Sequence, residues 1–156
     1  MSTIQAQHFT QALSLLLDEA FDQVHGLFLD RGTSLFETLA TVTAAEASLP
    51  AGGKGATLAA QVKHTAFYLD VLVHSARTQQ FERQDWDKIW RETRAVTPAE
   101  WETLKAELRA SYDRLKQLIA DTPEWPNEQP IAGALAAVAH TAYHLGEIRL
   151  TLGLLR

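Results

Sequence analysis

The 156-residue chain contains no cysteine and only one methionine. Without cysteine it has no disulfide, no thiolate metal ligand and no cysteine nucleophile. Its 14 Lys and Arg residues are outnumbered by 19 Asp and Glu residues, which gives a formal net charge of −5, and they form no basic cluster. Because phosphate recognition needs a basic face, we do not expect this protein to bind nucleic acid.

Long apolar runs and targeting signals are also missing. The longest uncharged, mainly apolar run covers residues 131–146, and its 16 residues are fewer than the ~20 that a membrane span needs. The first residues, MSTIQAQHFTQ, offer neither a basic region nor the apolar stretch of a signal peptide. The sequence therefore predicts no membrane association and a cytoplasmic location.

The residues that are present follow helical patterns. Hydrophobic residues make up 46% of the chain and charged residues 21%, which is typical of one globular domain, here residues 1–156. Apolar residues recur every three or four positions over residues 4–25, 57–77, 97–120 and 131–155. No segment alternates as a half-buried strand would. We therefore predict an all-α fold, a four-helix bundle.

Several local signals place the ends of these helices. Residues 97–100, Thr-Pro-Ala-Glu, form a capping box with proline in the first turn, and residues 34–40 predict a short extra helix by the same rule. Gly26 is expected to end the first helix, and Pro130 to keep the connection before the fourth helix non-helical. The first connection, of about 30 residues, is long enough to cross the bundle, which would make the first two long helices parallel.

His140 and His144 form the most informative pair in the sequence. They are four residues apart, about one helical turn, in the segment that contains no charge between residues 131 and 146. The same segment is expected to pack through one row of side chains: Ile131, Leu135, Val138, Ala142, Leu145 and Leu152. Buried imidazoles need hydrogen-bond partners or a metal ion, and His64, midway along another apolar helix, could complete a site with three nitrogen ligands. Hydrogen-bonded core histidines are the alternative.

Two common metal motifs are absent. There is no Glu-x-x-His, which disfavours a ferritin-like di-iron site, and no His-Glu-x-x-His, which excludes the corresponding metalloproteases.

Three segments resemble one known family. Residues 139–149, AHTAYHLGEIR, resemble the fourth-helix signature of the DinB/YfiT-like superfamily, and residues 57–69, TLAAQVKHTAFYL, resemble its second-helix signature. Residues 30–39, DRGTSLFETL, resemble the segment that usually follows its first helix. The similarity covers most of the chain in the family's own order.

The resemblance implies a DinB-like four-helix bundle that carries one divalent metal ion, nickel or zinc. The family's ligands fall on His64, His140 and His144. Members with assigned activities include thiol-dependent S-transferases and a maleylpyruvate isomerase that uses a low-molecular-weight thiol. The resemblance also implies a homodimer formed through a helix face, although the sequence shows no seam for it.

Three functional hypotheses follow. The first is a metal-dependent enzyme in which a small thiol, bound as thiolate, attacks an electrophilic small-molecule substrate; a hydrolase using metal-bound water is a variant. The second is a metal- or small-molecule-binding stress protein without turnover, and the third a metal-free bundle. Glu147, where the family often has Gln, either orients a ligand imidazole or is a solvated charge. Gln61 either touches metal-bound water or is an ordinary buried amide.

Overall fold

The computed structural model describes residues 4–50 and 55–156, which form seven helices and one isolated bridge between Pro50 and Thr57. The all-α prediction is confirmed, with three short helices added to the four long ones. The long helices are α1 (Ala6–Phe21), α4 (Leu58–Thr78), α6 (Pro98–Ala120) and α7 (Glu128–Leu155). The short helices are α2 (Leu35–Ala40), α3 (Ala44–Ala47) and α5 (Trp86–Glu92).

The four long helices surround one apolar core. Helices α6 and α7 each pack against both α1 and α4, so that α1 and α4 lie on one diagonal and α6 and α7 on the other. The largest side chains buried in this core include Trp101, Tyr112 and Phe21. The indole nitrogen of Trp101 donates a hydrogen bond to the Val42 carbonyl at 2.8 Å, which satisfies the one polar atom of that side chain.

Side-chain contacts establish the helix directions. On α4 and α7, Gln61 contacts His144 and His64 contacts His140, so these two helices are antiparallel. Near the start of α1, Phe9 packs on Trp125, which shortly precedes α7, so α1 and α7 run in the same direction. Helices α1 and α4 are therefore antiparallel, and the predicted parallel arrangement is wrong.

The long crossing lies between α4 and α6 instead. Asp70 of α4 accepts hydrogen bonds from Ser111 and Arg114 of α6, and the Thr57 hydroxyl at the start of α4 contacts the Thr93 carbonyl shortly before α6. These two neighbouring helices are parallel, so the chain between them returns along the length of the bundle.

Local capping explains where most helices begin. The Thr97 hydroxyl accepts from the Glu100 amide and the Glu100 carboxylate accepts from the Thr97 amide, which confirms the predicted capping box. The short helix predicted over residues 34–40 is α2, with its own capping box. Helix α7 begins three residues earlier than predicted, because Asn127 caps it and Pro130 sits in the first turn, where no helical partner for its missing N–H is required.

The end of α1 depends on one buried carboxylate. Glu19 is fully buried and accepts backbone N–H groups from His25, Leu27, Phe28 and Leu29 at 2.7–3.2 Å. These bonds fold the following loop back over the helix, so α1 ends at Phe21. The prediction that Gly26 caps α1 is wrong. Gly26 instead lies in the loop, five residues after Phe21, where it adopts a φ of +82° that other residues rarely take.

Helix α7 departs from the predicted packing row at Leu135, the one member that is exposed. Leu145 is 1% exposed, as expected, whereas Leu135 is 46% exposed. Within residues 4–50 and 55–156, no helix is long and apolar enough to cross a membrane.

Candidate metal centre

Three histidines come together where helices α4 and α7 contact each other. His64 on α4 and His144 on α7 are 8% and 5% exposed, and His140 is partly buried. The Nε2 atoms of His64 and His140 are 3.0 Å apart. One nitrogen from each of the three rings lies within 4.8 Å of the other two. We call this group the histidine cluster, and it contains all three residues singled out from the sequence.

Two acceptors hold the imidazole of His144. Its Nδ1 is 2.5 Å from the side-chain oxygen of Gln61 and 2.9 Å from a carboxylate oxygen of Glu147. Because both oxygens accept, Nδ1 carries the proton and donates it, and Nε2 keeps its lone pair. Glu147 therefore contacts an imidazole of the cluster, which is the contact it would need to orient a ligand histidine. Gln61 contacts the same nitrogen.

Burial keeps the cluster uncharged. Removal from water lowers the pKa of His64 to about 4 and that of His140 to about 3, because a charged imidazolium is poorly solvated in this position. Burial also lowers the pKa of His144, against the opposing effect of the Glu147 carboxylate. All three rings are therefore neutral near pH 7, which is the state in which an imidazole can bind a metal ion.

Helix α5 adds an aromatic wall beside the histidine cluster, which the sequence pattern does not predict. Trp86 and Trp90 are one helical turn apart, and their rings lie 5.7 and 4.5 Å from the ring of His64. On α4, the ring of Tyr68 stacks on His140 with centroids 3.7 Å apart. The available signal for α5 was the N-cap: Asp85 accepts a hydrogen bond from the amide three residues later.

The donor geometry fits a metal ion. A tetrahedral zinc ion with Zn–N bonds of about 2.0–2.1 Å separates its nitrogens by about 3.3–3.4 Å, and the 3.0 Å between His64 and His140 is already close to that value. Two nitrogens facing each other at this distance would otherwise have to share one proton. The Nδ1 atoms of both rings are buried and make no hydrogen bond within the described part of the chain.

A surface cleft adjoins the aromatic wall. It has a volume of about 440 Å³ and is lined by Arg83, Gln84, Asp85, Trp86 and Asp87. Trp86 thus borders both the cleft and the ring of His64. The cleft carries both charge signs, with one arginine and two aspartates among its lining residues.

Comparison with known proteins identifies the family. The model of the DinB superfamily matches residues 7–148, which is most of the chain. No curated protein matches the sequence, and no solved structure matches it. With a matching family model over that length, an all-α bundle and the three-histidine cluster between its second and fourth long helices, this chain belongs to the DinB superfamily.

Proposed function

We propose that His64, His140 and His144 bind one divalent metal ion and that the protein is a metal-dependent enzyme of the thiol-transfer type. The observation that carries this proposal is the convergence of three neutral imidazoles from two helices, one of them fixed through Nδ1 so that its Nε2 is available. Side chains on facing helices of a bundle are a usual place for such sites.

The donor set favours nickel or zinc. Both ions accept imidazole nitrogen, whereas magnesium and calcium prefer oxygen ligands. Within the described residues, the cluster gathers three ligating side chains and no fourth. Three protein ligands around zinc typically leave one position for water or substrate, which is the arrangement of a catalytic site.

The absence of cysteine determines the source of sulfur. A bound metal ion would supply Lewis acidity that lowers the pKa of a coordinated thiol, and the thiol must come from a cosubstrate because the chain has none. The protein's own contribution is positional. Glu147 and Gln61 hold His144, while Trp86 and Trp90 shield the cluster from water on one side.

A metal-binding protein without turnover is the second candidate. The observation in its favour is the enclosure of the cluster, since His64 and His144 are less than a tenth exposed and two indoles lie against one of the rings. An enclosed metal ion exchanges ligands only if the aromatic wall allows access from the cleft.

Elemental analysis of the untagged protein tests the metal site. We expect about one nickel or zinc ion per chain, lost when the three clustered histidines are replaced together by alanine. The matched control replaces His8, His25 and His74, three histidines outside the cluster, and should keep the metal. Absence of metal from the wild-type protein after reconstitution with either ion would refute the proposal.

A thiol titration separates the enzyme from the binding protein. With cobalt in the site, a coordinated thiolate gives an intense sulfur-to-metal absorption band that an imidazole and water shell lacks. Appearance of this band with a small thiol, followed by consumption of an added electrophile, supports transfer. An unchanged spectrum across a panel of thiols would support binding without turnover.

A further inference from the structure

Helix α5 lies outside the main core of the bundle. Ile89 is the one buried residue among its seven, and it does not belong to the side chains that form the main apolar core. The helix packs chiefly on α4, against which it places the partly buried rings of Trp86 and Trp90. Lifting α5 from this surface would therefore leave the core between the four long helices intact.

No hydrogen bond or ion pair joins α5 to another helix in the part of the chain that the structure describes. Its polar side-chain contacts are internal, since Asp85 accepts from the Lys88 amide and pairs with Arg91 at 2.9 Å. The Arg94 side chain, just beyond the helix, donates back to the Arg91 carbonyl. Apolar contact alone holds α5 on α4, so their separation breaks no hydrogen bond.

The chain before α5 is loosely held. Residues 79–85 form neither helix nor strand, and six of these seven residues are exposed. Gln79 ends α4 in the left-handed conformation, with a φ of +56°, and it hydrogen-bonds back to the last turns of that helix. The other hydrogen bonds of residues 80–84 reach positions only two residues away. This segment can therefore change shape without disturbing distant contacts.

The chain after α5 is anchored. The Thr93 carbonyl accepts from the Thr57 hydroxyl at 3.3 Å, and the Val96 amide donates to the Ser48 hydroxyl at 2.9 Å. Hinges are usually a few residues at the end of an element. The contrast between the two sides places a pivot at Thr93 and slack in residues 79–85.

The rings of α5 cover two of the clustered histidines. The ring centroid of Trp90 lies 4.5 Å from that of His64 and 6.2 Å from that of His144, and Trp86 lies 5.7 Å from His64. His64 and His144 are 8% and 5% exposed. With so little of either imidazole open to solvent, a molecule larger than water has to displace the covering side chains to reach it.

We propose that α5 is a lid, which pivots at Thr93 with residues 79–85 as slack and so controls access to the histidine cluster. In the open state Trp86 and Trp90 leave His64, while the four long helices stay packed. Elements with few buried contacts are the ones that open locally in a folded protein. The lid acts on any molecule that approaches the cluster, and its meaning for turnover rests on the proposed function.

Acylation of His64 by diethyl pyrocarbonate measures the opening. This reagent attacks neutral imidazoles, and mass spectrometry reports each histidine separately. His8 and His74 are exposed and serve as references within the same molecule. In the full-length chain, treated with a chelator to remove any metal, we expect His64 to react more slowly than either reference, in proportion to the open fraction.

Ile89→Ala should raise the acylation rate of His64 about tenfold or more. The isoleucine is buried only while the lid is closed, so its truncation weakens the closed state and leaves the open state unchanged. Ile89→Val is a milder change and should give a smaller increase in the same direction. The rates at His8 and His74 should stay as in the wild type.

Ile119→Ala is the matched control. Ile119 is 3% exposed near the end of α6, at the opposite end of the bundle from α5. This change weakens the main core instead of the lid, and it should leave the acylation rate of His64 unaltered. Circular dichroism should show the same helix content in all variants.

Hydrogen exchange provides a second measurement. In the wild-type protein the amides of α5 should exchange faster than those of α4 and α6, and Ile89→Ala should accelerate exchange in α5 alone. Neither measurement requires a bound metal ion. A chain that binds no metal would therefore refute the proposed function, while these two readouts would still decide for or against the lid.

Three results would overturn the lid. The first is acylation of His64 as fast as that of His8 and His74, which would show that the cluster needs no opening. The second is an acylation rate that Ile89→Ala leaves unchanged or that Ile119→Ala raises equally, the latter indicating access through unfolding of the whole bundle. The third is protection of the α5 amides equal to that of the α4 amides.

Discussion

The two hydrogen bonds made by Nδ1 of His144 lead to a quantitative prediction about metal affinity. That nitrogen has one hydrogen and two acceptors, Gln61 at 2.5 Å and Glu147 at 2.9 Å. Partners of this kind fix the tautomer and ring orientation of a ligand imidazole, and their loss typically weakens metal binding 10–100-fold. In this protein each acceptor can substitute for the other.

Single and double variants should therefore differ in a defined way. Glu147→Ala leaves Gln61 to hold the tautomer, so we expect a loss near the lower limit, about tenfold or ~1.4 kcal/mol. Gln61→Ala should behave similarly. The double variant leaves the Nδ1–H group of His144 buried without an acceptor, and we expect a loss of about 100-fold or more, ~2.7 kcal/mol.

The assay is competition for zinc against a chromophoric chelator at fixed pH, repeated with nickel. Tyr143→Phe is a suitable control, because the tyrosine hydroxyl donates to the other oxygen of Glu147 and does not touch the imidazole. We expect its affinity within about threefold of wild type, since an exposed neutral hydrogen bond contributes little. A double variant that binds zinc as tightly as the wild type would refute the reasoning.

Other side chains give three further predictions. Glu19→Gln should lower the melting temperature, because its amide NH₂ would face the backbone donors that now bind the carboxylate. Burial alone would raise the pKa of Glu19, but the four backbone donors together outweigh it and hold the pKa at about 2, below its usual 4.5. The stabilisation by Glu19 is therefore complete above pH 4.5 and lost as pH falls toward 2, and urea unfolding at each pH should show this dependence shrink in the variant. Tyr112→Phe should be neutral or stabilising by up to ~1 kcal/mol in thermal unfolding, since its buried hydroxyl has no partner among the described residues; a loss above ~2 kcal/mol would contradict this. Nickel binding should quench tryptophan fluorescence through Trp86 and Trp90, and a variant with phenylalanine at both positions should lose most of that quenching.

Short-range signals predicted the capped helices well. The capping boxes at Thr97 and at Ser34 depend on residues three apart, so the sequence alone contains all the partners. The histidine cluster could also be predicted, because helical spacing and the family resemblance both indicate the same three residues. Whether these side chains bind a metal ion stays a prediction.

Contacts between distant segments were not predictable in this way. The end of α1 depends on Glu19 meeting backbone groups up to ten residues later, and nothing in the local pattern shows that loop. The exposure of Leu135 depends on which side of α7 faces its neighbours, which an almost wholly apolar segment does not reveal. Helix α5 has seven residues, too few for a periodic pattern to be recognised.

The parallel arrangement of α4 and α6 has a consequence for the chain between them. Two parallel neighbours can be joined only by a segment that travels back past a whole helix, here the 21 residues or ~32 Å of α4. Residues 79–97 could span about twice that distance if extended, and part of the excess length is wound into α5. The topology thus obliges the chain to carry a return path over the outside of α4, and the tryptophans beside His64 lie on it. Insertions or deletions near Trp86 and Trp90 would therefore alter the surroundings of the histidines.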